Sequence, residues 1–342
     1  MEARPMGRIV LVTGVSRHLG ARVAEAVAAD PGVDRVVGVD AAPLRRPLGA
    51  VEHVSADLHG GSIAQTVVDS GADTVLHLGL TPAGSAPGGG SATGNGNILG
   101  TMQLLAGCQR SESVARLVVR SSAAVYGESG HGPLLCTEER EARSMPRSAY
   151  AHNAAEVEEH TEALARRLPE LSVAVLRFAS FIGPSVDTPL TRYFGLRLVP
   201  TVRGYDPRMQ FIHEDDGVEA VRRMALSDKA GVFNVAGSGS LPLSQCLRRV
   251  GRRRFAMPER GLRMLGGLAR RGEFDYSPDQ LRLLCSGRVV DFSKLERELG
   301  WSPSYTSSEA FEAYLSEHSG GPRRHNAAPP RRPHRTRPAL GS

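Results

Sequence analysis

"LVTGVSRHLGARVAEAV", residues 11–27, joins a β-rich run to a helical pattern through a turn that contains glycine. "RIVLVT" (8–13) reads as a short buried strand ending at Gly14, and "HLGARVAEAVAA" (18–29) carries apolar residues at helical spacing. A strand–turn–helix junction of this kind aims free backbone N–H groups at a phosphate, and the helix dipole adds to the attraction. Gly14 permits the tight turn, and Gly20 lets the helix pack close to the strand. The middle position of the GxxGxxG pattern holds Arg17 instead of glycine. Two readings of Arg17 stand side by side: a phosphate contact, or a solvated turn arginine.

Working outward, strands and helices alternate. Strand-like runs fall at 34–40, 51–57, 73–80, 115–122 and 171–178, with helical patterns at 62–70, 97–110 and 148–168 and a Gly/Ser/Pro-rich loop at 81–96. This rhythm predicts an α/β fold: a Rossmann-type doubly wound parallel sheet with helices on both faces. After Gly183 the rhythm breaks into short strands mixed with helices at about 215–227, 242–250, 258–270, 292–299 and 307–317. The expected organisation is a dinucleotide-binding domain over 1–182 (core about 8–182), a smaller α/β substrate lobe over 183–319, and a tail over 320–342.

Asp40 ends the second strand, 20 residues after Gly20. A carboxylate there accepts hydrogen bonds from an adenosine ribose diol and repels a 2′-phosphate, which favours NAD over NADP. Arg45 and Arg46 keep NADP open as the less favoured cofactor. Asp57, after the third strand, either accepts from an adenine amino group or caps a turn.

Composition narrows the classes further. Six arginines and no acids lie between Gly320 and Ser342; without them 36 basic residues face 36 acidic ones, so the basic excess belongs to the tail alone. The tail is rich in proline and poor in apolar residues, and is expected to be disordered. A weak contact with nucleic acid or an acidic surface stays open for it, beside the plainer reading of a solvated terminus. Cys108, Cys136, Cys246 and Cys285 are scattered and form no CxxC pair, which argues against a zinc site and fits a reducing compartment. No metal is expected. No apolar stretch reaches membrane-span length, so the expectation is a soluble cytoplasmic protein. The acids at 214–216 read as the dipole-matched start of a helix, and Glu138, Glu139 and Glu141 as a solvated charge run.

With these pieces in place, the chain from about 8 to 317 resembles the extended short-chain dehydrogenase/reductase family, in its NAD-dependent epimerase/dehydratase branch. The marks are "TGVSRHLG", Asp40, "SADL", "NILGT" (97–101), "RSSAAVYG" (120–127), Tyr150, "LRFASFIGP" (176–184), "FIHEDD" (211–216) and "DFSKLERELGWSP" (291–303). The resemblance implies NAD along the sheet's carboxyl edge, lined by Gly14, Leu19, Gly20, Asp40, Asp57, Leu58, Gly79 and Asn97, with Arg17 beside them. It implies hydride transfer at a hydroxyl-bearing carbon of a small molecule, often a nucleotide sugar, with Ser122 and Tyr150 handling the proton. It also implies a homodimer through the helices near 97–110 and 148–168.

One position departs from that pattern. Removing a carbinol proton with tyrosine, whose pKa is near ~10 in water, calls for a neighbouring cation. The family places a lysine four residues after the tyrosine, on the same helix face. Here that position is Ala154, and the chain's two lysines are Lys229 and Lys294. An arginine arriving from elsewhere could bias Tyr150 electrostatically but could not relay a proton. Met209 stands where nucleotide-sugar members carry an arginine, and Ser180 where they carry an asparagine. Two functions follow as expectations: an enzyme with a degenerate Tyr-x-x-x-Lys site, or an NAD-binding sensor or scaffold without catalysis.

Overall fold

The computed structural model describes residues 7–58, 60–79, 91–127, 135–139, 148–258 and 287–318. The expected helix at 258–270, the tail, Glu141 and Cys285 lie essentially outside these residues. The first half of the chain forms β1 (Arg8–Thr13), α1 (His18–Ala28), β2 (Val33–Asp40), β3 (Val51–Ser55), α2 (Ser62–Ser70), β4 (Thr74–His77), α3 (Ser91–Arg110), β5 (Arg116–Ser122), β6 (Leu135–Cys136), α4 (Ala149–Arg167) and β7 (Ser172–Phe178). The second half forms β8 (Ser180–Ile182), α5 (Pro189–Gly195), β9 (Leu198–Val202), β10 (Arg208–Met209), β11 (Phe211–His213), α6 (Glu214–Leu226), β12 (Gly231–Val235), β13 (Leu241–Pro242), α7 (Leu243–Val250), β14 (Arg253–Met257), β15 (Val289–Val290), α8 (Ser293–Leu299) and α9 (Ser307–His318).

Seven strands make one parallel sheet in the order β12-β7-β5-β4-β1-β2-β3. The doubly wound architecture is therefore present. Strand order reverses between β1 and β4, and in open α/β sheets the crevice at such a switch point receives ligands. Central strands bury both faces, so they read as continuous apolar runs: all four residues of β4 are buried. One face packs on α1, α6 and α8 through Val10, Val12, Val23, Val27, Val221 and Leu295. The other packs on α2, α3 and α4 through Leu11, Ile63, Val67, Leu104, Val157 and Leu164.

Two features differ from the sequence reading. The helix expected from 97 begins at Ser91; Gly94 and Gly96 lower local helix propensity and hide its first turns. The sheet also recruits β12 from beyond residue 182, where it pairs with β7 from Gly231↔Ala174 to Val235↔Phe178. A third core, with Tyr193, Phe194, Phe211, Phe311 and Tyr314 at its centre, holds α5, β9, β11, α7 and α9 together. Among the described residues no helix is long and apolar enough to cross a membrane.

α1 can lie where it does only because two residues lack side chains. A Cβ on Gly20 would sit 2.1 Å from Gly14 O, far inside contact distance. Gly14 itself has φ 81°, and a Cβ there would meet Gly79 Cα at 3.1 Å. Gly20→Ala must push α1 off β1. We expect it to lower unfolding free energy by about 1–3 kcal/mol or more, read by urea denaturation.

Candidate functional site

The glycine turn, the carboxyl end of β2 and the end of β4 form one crevice. Asp40 is oriented within it: Oδ2 accepts from Ser16 N–H at 3.1 Å and Ser16 Oγ at 2.7 Å, and Oδ1 accepts from Ala42 N–H at 3.1 Å. Arg17 is exposed as a residue, yet its Nη1 turns back to within 3.5 Å of Gly79 O. Loss of water around that guanidinium lowers its pKa; Asp40 opposes the shift and the positive charge of Arg120 adds to it. Leu19 is partly buried against the α1 side of the core. Leu58 packs under Gly79, its Cδ1 3.0 Å from where a Gly79 Cβ would stand. Asp57 is exposed, and its carbonyl accepts from Ser62 Oγ and Gly60 N–H. Asn97 lies on α3, where its carbonyl accepts from Thr101 Oγ1 at 2.7 Å.

Behind the turn runs a hydrogen-bonded chain that the sequence reading did not find. His77 bonds Thr13 Oγ1 at 3.0 Å through Nδ1 and Thr101 Oγ1 at 2.9 Å through Nε2. Thr101 donates its one proton to Asn97 O, so Nε2 is the donor to Thr101. Nδ1 then accepts from Thr13, whose oxygen in turn accepts from Leu78 N–H at 3.1 Å. His77 is thereby a neutral Nε2–H tautomer tying β1, β4 and α3 together. Burial pushes its pKa down to about 4.

Ser122 ends β5, where its Oγ accepts from Ala124 N–H at 3.2 Å and caps the 3-10 turn 123–126. That bond occupies a lone pair and leaves the hydroxyl proton for another partner. Tyr150 is partly buried in the first turn of α4. Ser148 caps this helix by accepting from Ala151 N–H at 3.3 Å, and Ala151, Ala154, Val157, Thr161 and Leu164 form its buried face. Ala154 is 2% exposed. It belongs to a closed apolar cluster with Ala123, Val125, Tyr126, Cys136, Ala179, Ala236 and Val290. Residue 154 is thus part of the packing between α4 and its neighbours.

One helical turn beyond Ala154, Glu158 is buried and paired. It accepts from Arg177 Nη2 at 2.6 Å, from Arg177 Nε at 3.0 and 3.1 Å, and from Ser121 Oγ. Arg177 Nη1 reaches Tyr126 OH at 3.0 Å, and Tyr126 donates to Asn234 Oδ1 at 2.8 Å. Burial alone would lower the Arg177 pKa; the hydrogen bonds and charge of Glu158 outweigh it and raise it. Breaking such a buried pair by removing one partner typically costs about 3–5 kcal/mol, so this network holds α4 firmly against β5, β7 and β12. The one cue in the sequence was an arginine inside an apolar strand, "AVLRF".

The acids at 214–216 do more than match a dipole. Glu214 is buried, accepts from Arg22 Nη1 at 3.1 Å and Ser185 N–H at 2.9 Å, and pairs with His18 Nε2. Asp216 accepts from Ser304 and Tyr305 N–H, both at 2.9 Å. Among the described residues no group of His, Cys, Asp and Glu is arranged to hold a metal. Glu138 is not simply solvated, since it accepts from Asn234 N–H at 2.8 Å. Met209 is 8% exposed and faces the third core, while Ser180 is exposed on β8.

The sequence matches the NAD dependent epimerase/dehydratase family over residues 10–236. The chain belongs to this family. An uncharacterized protein of Mycobacterium tuberculosis is 38% identical over 313 residues, covering 90% of this chain and 83% of its own length. The fold is similar to that of UDP-glucose 4-epimerase from Thermotoga maritima with UDP-glucose (TM-score 0.71, 17% identity, 90% of this chain and 98% of that one). It is also similar to UDP-glucuronic acid 4-epimerase from Bacillus cereus with UDP-glucuronic acid and NAD (TM-score 0.70, 18% identity, 91% and 98%). A third likeness is to dTDP-glucose 4,6-dehydratase from Bacillus anthracis with NAD (TM-score 0.68, 17% identity, 91% and 96%).

The neutral His77 gives the fold a pH signature. Its folded pKa of about 4 lies below the ordinary histidine value near ~6.5, so the unfolded state binds the proton first. Its contribution to stability is complete above ~6.5 and falls away as pH drops toward about 4. His77→Gln should flatten the stability profile across that window, measured by denaturant unfolding at stepped pH.

Proposed function

We propose that this protein is an NAD-dependent oxidoreductase of the epimerase/dehydratase type, acting at a hydroxyl-bearing carbon of a small molecule, with nucleotide sugars the first class to test. The observation that carries the reading is the switch-point crevice, with the Gly14–Gly20 close approach on one side and an oriented Asp40 on the other. A dinucleotide fits these residues. The glycine turn admits a phosphate close to backbone, and Asp40 presents carboxylate oxygen to a ribose diol while excluding a 2′-phosphate. Gly14, Arg17, Leu19, Gly20, Asp40, Asp57, Leu58, Gly79 and Asn97 would hold it. The nicotinamide, when bound, accepts or returns hydride.

The chain's own part is proton handling and orientation. Ser122, fixed by the 123–126 turn, donates its hydroxyl proton toward substrate oxygen. Tyr150 takes or gives the proton at its phenol oxygen. With alanine at 154 no ammonium is supplied four residues beyond the phenol, so turnover should be slow. Named relatives of the fold act on nucleotide sugars; Met209 buried in the lobe core removes one diphosphate grip from that class. A homodimer through α3 and α4 belongs to this reading, supported by Leu99 and Met102 standing 45% and 46% exposed on α3. The buried Cys108, Cys136 and Cys246, none of them in a disulfide, support a reducing, cytoplasmic setting.

The sealing of Ala154 favours a second reading, an NAD-responsive sensor or scaffold without catalysis. NAD titration followed by a turnover panel over nucleotide sugars and hydroxysteroid-like alcohols separates the two. The enzyme reading expects slow conversion of a substrate to product, with the hydride returned in an epimerase or dehydratase and net NADH formed only in a dehydrogenase, and loss of that conversion in Tyr150→Phe. NAD binding with no turnover in any panel leaves the sensor. No binding of NAD or NADH at millimolar level removes both. Ala154→Lys must push an ammonium into an apolar cluster, so we expect lower stability rather than a gain of rate.

A further inference from the structure

The reading above places a dinucleotide at the switch point, and the inference here rests on it. Two arginines converge there, and only one belongs to the glycine turn. Arg17 crosses from the end of β1 toward the end of β4, Nη1 3.5 Å from Gly79 O. Arg120 lies on β5, one residue past the His77↔Val119 pair. That register sets it level with Leu78, next to Gly79. Strand alternation puts it on the same face as Val118, which packs with Val12, Val15 and Val23 on the α1 side of the sheet. Its guanidinium carbon stands 5.6 Å from the centre of the Phe181 ring, which packs against that same core. Both guanidiniums therefore occupy the α1 side of the sheet, above the carboxyl ends of adjacent strands.

Like charges on one side of the sheet repel, and the charge of Arg120 contributes, after burial, to lowering the Arg17 pKa. Asp40 is the acid that faces Arg17, but its oxygens already accept from Ser16 and Ala42. A ligand carrying two negative charges between the arginines would relieve the repulsion and gain charge-assisted hydrogen bonds. We propose that Arg17 and Arg120 form a two-sided grip on the diphosphate of the bound dinucleotide. Binding would then be governed by the diphosphate more than by the nicotinamide, so ADP and ADP-ribose should compete well with NAD.

The test is calorimetric titration of the full chain and its Arg17→Gln, Arg120→Gln and Arg120→Lys variants with NAD, ADP and adenosine, at low and high salt. Thermal unfolding checks that each variant is folded. The grip predicts that each glutamine variant weakens NAD and ADP by about tenfold or more. Both should flatten the salt dependence, leave adenosine binding unchanged, and show partial recovery in Arg120→Lys. Unchanged or tighter ADP binding in Arg120→Gln overturns the grip while leaving the dinucleotide reading intact; tighter binding would mean that Arg120 obstructs the crevice. Failure of the unaltered chain to bind NAD or ADP at all overturns both.

Discussion

The fold turns on a contact between backbone atoms with no side chain between them. α1 approaches the turn after β1 so closely that Gly14 O occupies the space a Gly20 side chain would need. This approach fixes the helix start over the sheet's switch point. It also sets the distance from the turn to Gly79 across the crevice and to the Ser16–Asp40 bond beside it. Everything that could recognise a dinucleotide is measured from this one junction.

Buried polar groups then fasten the surrounding elements through hydrogen bonds between them. His77 links β1, β4 and α3 as a neutral ring. The Glu158–Arg177 pair, extended through Tyr126 and Asn234, joins α4 to three strands. These are costly groups to bury, and each is offset by hydrogen bonds to neighbouring elements. Ala154 sits one turn from this network, buried in an apolar cluster.

Local chemistry made much of this legible in the sequence. The first strand, its glycine turn and α1 announce themselves by period and by residue type, and Asp40 follows from its distance to Gly20. Ala154 was visible as a departure at a defined helical spacing. Hidden features depend on contacts between distant segments. Nothing in "GVFNV" says that it will pair with β7 rather than join the lobe, because a five-residue apolar run fits either place. The place of Arg120, level with Leu78 and next to Gly79, is set by strand register and not by local sequence. Glu214 read as a dipole-matched helix start, while its partners His18 and Arg22 lie almost 200 residues away.

The late arrival of β12 has a consequence for how the chain is made. On the ribosome, β7 is complete at residue 178, but its outer edge has no neighbour until Val235 has emerged. Through that interval the nascent protein carries an open rim of backbone donors and acceptors, the kind of surface that pairs with other chains. Glu214 emerges within the same interval and reaches back to His18 and Arg22. The clasp between α6 and α1 can therefore close while synthesis continues, holding the leading half in shape until its last strand is delivered.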